Sequence, residues 1–174
     1  MNQNTTVSFM RITKIVILCW LSMIGFDFFL HGGLMAGFYV QTSPFLLPPE
    51  KAFRLIPIGY LSFLLFAILL VWLMLGQNIR GWRGGLVFGL KLGALIWGSV
   101  VLGLMSISTA SAGLLIGWFF GQTIELGIAG AFGGSALCGV RLTKLFFIVF
   151  VLLFLSLLLT LVLQNLGFAP SLRV

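Results

Sequence analysis

The stretch that decides the fold is GWRGGLVFGLKLGALIWGSVVLGLMSISTASAGLLIGWFFGQTIELGIAGAFGGSALCG, Gly81 to Gly139. It reads as two glycine-rich apolar helices joined by the polar apex Ser106-Ile107-Ser108-Thr109-Ala110-Ser111. Each apolar run carries one charge, Lys91 in the first and Glu125 in the second, and each charge lies 17 residues from Ser108. In an antiparallel hairpin the two therefore sit at the same depth, roughly 25 Å from the apex at ~1.5 Å per residue. An ionisable group inside a membrane span marks a candidate functional site.

Composition explains why a membrane is the expected solvent. The 174 residues are 60% hydrophobic and 7% charged, whereas a soluble domain carries about 25% charged residues. The apolar runs are each about 20 residues long and lack the alternation of barrel strands, so helices are expected. The formal net charge is +7, but the basic residues come in ones and twos at the ends of apolar runs. That placement argues against a nucleic-acid partner. Cys19 and Cys138 are the two cysteines and His31 is the one histidine. They form no disulfide framework and no zinc or bis-histidine haem pattern, so no metal or cofactor is expected.

Working outward, residues 1–11 are polar and read as loose. Arg11 and Lys14 precede the apolar run Ile15 to Leu30, which contains Asp27 and no convincing small-x-small cleavage site. An uncleaved first span is the expectation. Residues 40–56 read as an interfacial loop, with Pro48-Pro49-Glu50 resembling a helix start and Pro57 opening or kinking the second span. The fold expected is all-α, a polytopic transmembrane bundle in one domain, with spans at about 12–33, 57–76, 85–106, 112–133 and 145–164. The last span is rich in Leu and Phe, with only Ser156 and Thr160 polar, and reads as a peripheral helix on a four-span core. Arg11, Lys14, Arg80, Arg83, Arg141 and Lys144 fall on one side, and Lys51, Arg54 and Arg173 on the other. The positive-inside rule then places the N-terminus in the cytoplasm and the C-terminus outside.

Gly85, Gly89 and Gly93 recur every four residues, as do Gly113, Gly117 and Gly121, so each set forms a groove for a neighbouring helix. Gly33 and Gly37 hold a shorter version at the end of span one. Glu125 continues the second ridge toward Ala129 and Gly133, and is expected to face protein. Lys91 points away from its ridge and can snorkel to the interface. A central charge costs ~3 kcal/mol on insertion scales, so Glu125 needs a cation, hydrogen-bond donors or a proton. Asp27 and His31, four apart, share a helix face near the outer end of span one. They read as an interfacial pair that tethers the helix end, or as a proton relay or polar binding site, with Tyr39 close by. Trp20, Trp72, Trp82, Trp97 and Trp118 read as belt or packing residues.

Several of these residues occur together as Asp27-Phe28-Phe29-Leu30-His31-Gly32, Tyr39, Leu47-Pro48-Pro49-Glu50, Gly89-Leu90-Lys91-Leu92-Gly93, and Gly117-Trp118-Phe119 with Glu125. The set resembles a group of small uncharacterised bacterial integral membrane proteins with four core spans. Their signature is Asp-x-x-x-His-Gly at the end of span one, then a tyrosine and a proline-containing loop. The resemblance covers about residues 15–139. The group carries Trp-Arg before the loop proline, where this chain has Leu46-Leu47. The resemblance implies a bacterial membrane compartment and no activity.

Three functions remain open on this reading. The first is a non-enzymatic subunit whose glycine ridges pack helices within or between chains, in which Gly117→Leu or Gly121→Leu disrupts assembly and Glu125→Gln is tolerated. The second is a small-solute or proton-linked carrier using Glu125, Asp27 and His31. The third is a membrane enzyme acting on lipid or quinone, for which Asp27, His31 and Tyr39 would supply acid–base chemistry. The partners expected are the bilayer of a bacterial inner membrane and a second copy or another membrane subunit.

Overall fold

A computed structural model describes residues 8–41 and 43–170. The described chain is all-helical: α1 Phe9–Phe29, a π-helical turn Leu30–Leu34, α2 Ala36–Val40, α3 Pro49–Gly76, α4 Trp82–Ile107, α5 Ala112–Leu137 and α6 Leu142–Asn165. The five long helices are long and apolar enough to cross a membrane, so this is a multi-pass membrane protein. Of the segment 1–11 expected to be loose, Phe9 to Arg11 already belong to α1, which Ser8 caps, while residues 1–7 and the basic Arg173 lie outside the described residues.

Local chemistry sets the helix ends. Ser8 and Ser111 cap α1 and α5, their hydroxyls accepting from the backbone N–H of Arg11 and Leu114. The turn between α3 and α4 needs positive φ at Asn78 (57°) and Gly81 (78°), a conformation that glycine and asparagine reach at least cost. The second span begins at the helix start read from Pro48-Pro49-Glu50, and corrects the reading that the span opens at Pro57. Its helix starts at Pro49, with Glu50 in the first turn, and runs unbroken through Pro57. Residues 49–56 are therefore helical rather than part of the interfacial loop. Pro57 removes one intrahelical N–H donor without ending the helix, because the exposed first turns leave the freed carbonyl at the polar edge of the bilayer.

Glycine fixes the closest helix pair, α4 against α5. A Cβ added at Gly85 would overlap the Gly130 carbonyl, one at Gly89 the Leu126 carbonyl, and one at Gly93 would lie 2.9 Å from the Thr123 Cα. Here backbone meets backbone, and α5 offers its own small face through Gly127, Gly130 and Gly134. The Gly81 N–H donates to the Gly134 carbonyl at 2.8 Å and ties the turn to the same seam.

The ridge of Gly113, Gly117 and Gly121 takes side chains instead. Phe38, Met35 and Leu30 lie over these three glycines in turn, and Cys19 lies over Gly133. Cys19 Sγ also donates to the Ala129 carbonyl at 3.3 Å. These contacts set α1 antiparallel to α5 in one register. Ile15, Leu18 and Met23 then bury against Ala67, Leu70, Met74, Leu126 and Ala129, which also brings α3 onto α1.

The last span is less detached than its composition suggests. On α6, Leu153 packs on Gly25, Thr160 on Gly32, and Leu163 on Gly33, while Ser156 and Thr160 are buried. Most of its remaining surface is exposed. α6 is thus a peripheral helix fastened along α1 by its few polar residues.

Candidate functional site

The site grows out of an irregularity in the first span. At Leu30–Leu34 the backbone widens into a π turn, with the Met35 N–H donating to the Leu30 carbonyl at 2.8 Å. Such turns hold one extra residue and leave carbonyls without their usual partners. Two side chains of α6 reach this stretch: Gln164 Nε2 donates to the Gly32 carbonyl at 3.0 Å, and Thr160 Oγ1 lies 3.2 Å from the Phe28 carbonyl and 2.8 Å from the Ser156 carbonyl of its own helix, sharing one proton between them. Beyond Met35, α2 leads back over the turn and carries Tyr39 to His31.

Five polar side chains meet there. Asp27 Oδ1 lies 3.2 Å from His31 Nε2, and the His31 Nδ1 pairs with the Tyr39 hydroxyl. Trp118 Nε1 donates to the Tyr39 oxygen at 2.8 Å, and Gln122 Nε2 lies 3.0 Å from His31 Nε2. The pairing of Asp27 with His31 is the one expected from their spacing. Gln122 and Trp118 were not singled out as site residues. Their signal was positional, since Trp118, Gln122 and Glu125 fall at i, i+4 and i+7 on one face of α5.

Proton accounting gives the network a direction. The Tyr39 oxygen already accepts from Trp118, so its own proton is free to go to His31 Nδ1. Nε2 then carries the ring hydrogen and donates to Asp27. With that tautomer the Gln122 carboxamide turns its oxygen toward Nε2, because oxygen and nitrogen of an amide are assigned from their partners. The chain runs Trp118 to Tyr39 to His31 to Asp27. Tyr39 lies beyond the spanning segment, and burial holds its phenol above the ordinary value. It therefore remains a proton donor at neutral pH.

The site is sheltered but reachable. The His31 side chain is 26% exposed and that of Asp27 12%, so contact with the surroundings runs through the imidazole. Aromatic and apolar groups cover the rest: Phe45 packs on Trp118, and Leu46, Phe38 and Phe26 pack around Leu30 and Met35. Ser43 Oγ accepts from the Phe45 and Leu46 N–H groups and sets the loop that brings both residues in.

Glu125 lies one turn deeper and is 0% exposed. Neither carboxyl oxygen has a hydrogen-bond partner among the described residues. Leu30 sits over Gly121 and Cys19 bonds to Ala129, so Glu125 faces α1 at the level of Ser22 to Phe26. Ser22 Oγ on the facing helix bonds to the Cys19 carbonyl, and the other buried side-chain polar atoms left without partners among the described residues are Trp97 Nε1 and Thr123 Oγ1. Lys91 matches Glu125 in depth but is exposed on the opposite side of α4. Among the described residues the one close pairing of an acid with a basic side chain is Asp27–His31, and with a neutral imidazole it is a hydrogen bond.

No group of three or more His, Cys, Asp or Glu able to hold a metal occurs among the described residues. No family model, curated protein or solved structure matches the chain, so its function has to be read from these side chains.

Proposed function

We propose that this chain is a proton-handling membrane protein, a small proton-linked carrier or permeation unit in which Asp27, His31 and Glu125 take up and release the proton. One observation carries the reading: a five-residue hydrogen-bonded cluster at the outer end of α1 is followed, one turn deeper on α5, by a carboxyl group with no protein partner. Helix packing does not require a bare acid in an apolar bundle, and such a group is costly to keep. His31 is the group in contact with the outside, Tyr39 and Trp118 fix its tautomer, and Gln122 holds the ring to α5. The basic residues of the N-terminal segment and of the turns on its side support a cytoplasmic N-terminus in a bacterial inner membrane. Asp27 and His31 then open toward the outside. A homo-oligomer or a second membrane subunit completes the unit, seated on the apolar faces that α3 and α6 leave exposed.

The test is proton flux into liposomes that hold the purified protein and an entrapped pH dye. Wild type should dissipate an imposed pH gradient faster than empty liposomes. Glu125→Gln and Asp27→Asn should return to the empty-liposome rate while remaining monodisperse in detergent. Wild-type flux equal to that of empty vesicles, or full flux in both variants, would exclude the proposal.

A second reading, a non-enzymatic interaction subunit, is favoured by the broad apolar faces of α3 and α6, where Leu61, Leu65, Trp72, Phe147 and Phe154 are exposed. The glycine ridges do not support it as a partner surface, because the chain's own helices and side chains fill them. On that reading Glu125→Gln leaves both oligomer and function unchanged.

A further inference from the structure

We propose that the groove between α3 and α4 binds an acidic phospholipid, whose phosphate lies between Arg83 and Lys91. The groove has a volume of about 730 Å³ and is lined by Gln77, Arg83 and Lys91 together with apolar residues that include Leu73, Val87 and Leu95. Arg83 and Lys91 are eight residues apart on α4, about two turns and ~12 Å of rise, and line the same groove. The lysine stem leans toward the helix N-terminus and brings its ammonium group back toward Arg83.

Charge selects the occupant. The chain has three acidic residues, Asp27, Glu50 and Glu125. Asp27 is paired with His31, Glu125 is buried on the far side of α4, and Glu50 lies at the opposite end of α3. Arg83 and Lys91 therefore have no carboxylate partner among the described residues. The Arg83 guanidinium sits 5.1 Å from the Trp82 ring centroid, which occupies one face of the group and leaves its in-plane N–H fork for an anion.

The surrounding walls specify a lipid rather than a free anion. Exposed Val87 lies between the two cations, half-buried Leu73 faces the first of them from α3, and Leu92 and exposed Leu95 continue past Lys91 toward the bilayer centre, where an acyl chain would follow a headgroup. Basic clefts between spanning helices bind anionic headgroups by the same combination. The leaflet is the one on the side of the 77–81 turn, which also holds Arg11, Lys14, Arg141 and Lys144.

The proposal is tested in nanodiscs of equal phosphatidylglycerol and phosphatidylcholine, from which the protein is released and its retained lipid counted by native mass spectrometry. Wild type should retain phosphatidylglycerol in preference. Arg83→Gln and Lys91→Gln should each lower that preference about fivefold, in keeping with the strength of one cation near an anionic surface. Arg141→Gln with Lys144→Gln removes two charges from the same side outside the groove and should leave the preference within twofold. Equal loss in the two sets would reduce the effect to general surface charge, and no loss in the groove variants would overturn the site. Adding free inorganic phosphate separates the remaining source: if it displaces the lipid at millimolar levels, the groove is a phosphate site and the lipid assignment fails.

Discussion

The Gln122 carboxamide lies 3.0 Å from His31 Nε2, joining α5 to the π turn that follows α1. The same ring nitrogen meets Asp27 Oδ1 at 3.2 Å, so one imidazole edge links an acid on its own helix to an amide on the facing one. Gln122→Leu removes the second contact, and with it the hydrogen bond from Gln122 to Asp27. The expected cost is about 1–3 kcal/mol, read as a lower thermal midpoint in detergent. His31 is the single histidine, so histidine-specific 15N labelling reports this site alone. The wild-type spectrum should show the Nε2-protonated tautomer, and Gln122→Leu should retain it because Tyr39 still donates to Nδ1. A spectrum with Nδ1 protonated would contradict the direction assigned to the network.

The two glycine ridges should respond differently to substitution. At Gly85 and Gly89 an added Cβ meets carbonyl oxygens of α5, which are fixed within a helix. At Gly117 it meets the end of Met35, and at Gly121 the end of Leu30, both flexible. Gly85→Ala and Gly89→Ala should therefore each lose about 3 kcal/mol, while Gly117→Ala loses less than about 1 kcal/mol. Thermal unfolding of the purified variants compares them directly. Equal loss at Gly85 and Gly117 would mean that α5 is held no more rigidly against α4 than against Met35.

Glu125 separates stability from function. Its two oxygens lack protein partners, so replacing it with a residue of similar volume removes a burden rather than a contact. Glu125→Leu should leave the thermal midpoint unchanged or raise it, by the logic that apolar replacement of a poorly satisfied buried group is neutral or stabilising. A fall equivalent to more than about 2 kcal/mol would reveal hydrogen bonds to this carboxyl in the membrane.

The contacts of α6 to the π turn are also separable. Gln164→Leu removes the donor to the Gly32 carbonyl, and Thr160→Val removes a hydroxyl shared between the Phe28 and Ser156 carbonyls, each while keeping the bulk. Each should cost about 1 kcal/mol, and amide hydrogen exchange should rise within Leu30–Met35 without rising in α4 or α5. Unchanged exchange in that segment would show that the π turn holds itself open without α6.

Much of the fold could be read from the chain, and the reasons differ by element. Five apolar runs of membrane length declare five spans, because the bilayer sets their length and hydropathy directly. The start of the second span was misplaced because Pro57 was read as opening it, whereas the helix begun at Pro49 runs on through that proline. The π turn left almost no trace: a shift of one residue in hydrogen bonding changes no composition, and only Gly32-Gly33 marks its place. Asp27 with His31 was legible because a spacing of four is local geometry. The rotation of Lys91 relative to Glu125 was not, since it depends on which side of α4 meets α5, and the facing glycines of α5 decided that. Gln122 was overlooked because a single amide in a glycine-rich helix resembles a packing residue until its partner on another helix is known.

Alkaline pH should expose the role of Tyr39. The phenol of an unfolded tyrosine titrates near ~10, and burial holds that of Tyr39 higher in the folded protein. A folded-state value above the unfolded one gives stability that is whole below about pH 10 and is lost as pH rises toward the folded value. The slope is at most about 1.4 kcal/mol per pH unit for one proton. Tyr39→Phe has no such proton to lose. At neutral pH the variant should be less stable than wild type by about 1 kcal/mol, because it forfeits the contacts to His31 and Trp118. Above about pH 10 the difference should shrink and then reverse, as wild type alone pays to keep or lose the buried proton. Thermal midpoints of the two proteins from about pH 7 to about pH 11 decide the matter. A constant gap over the whole range would mean that the Tyr39 hydroxyl ionises in the folded bundle as freely as in the unfolded chain, and that the aromatic cover over His31 does not exclude water.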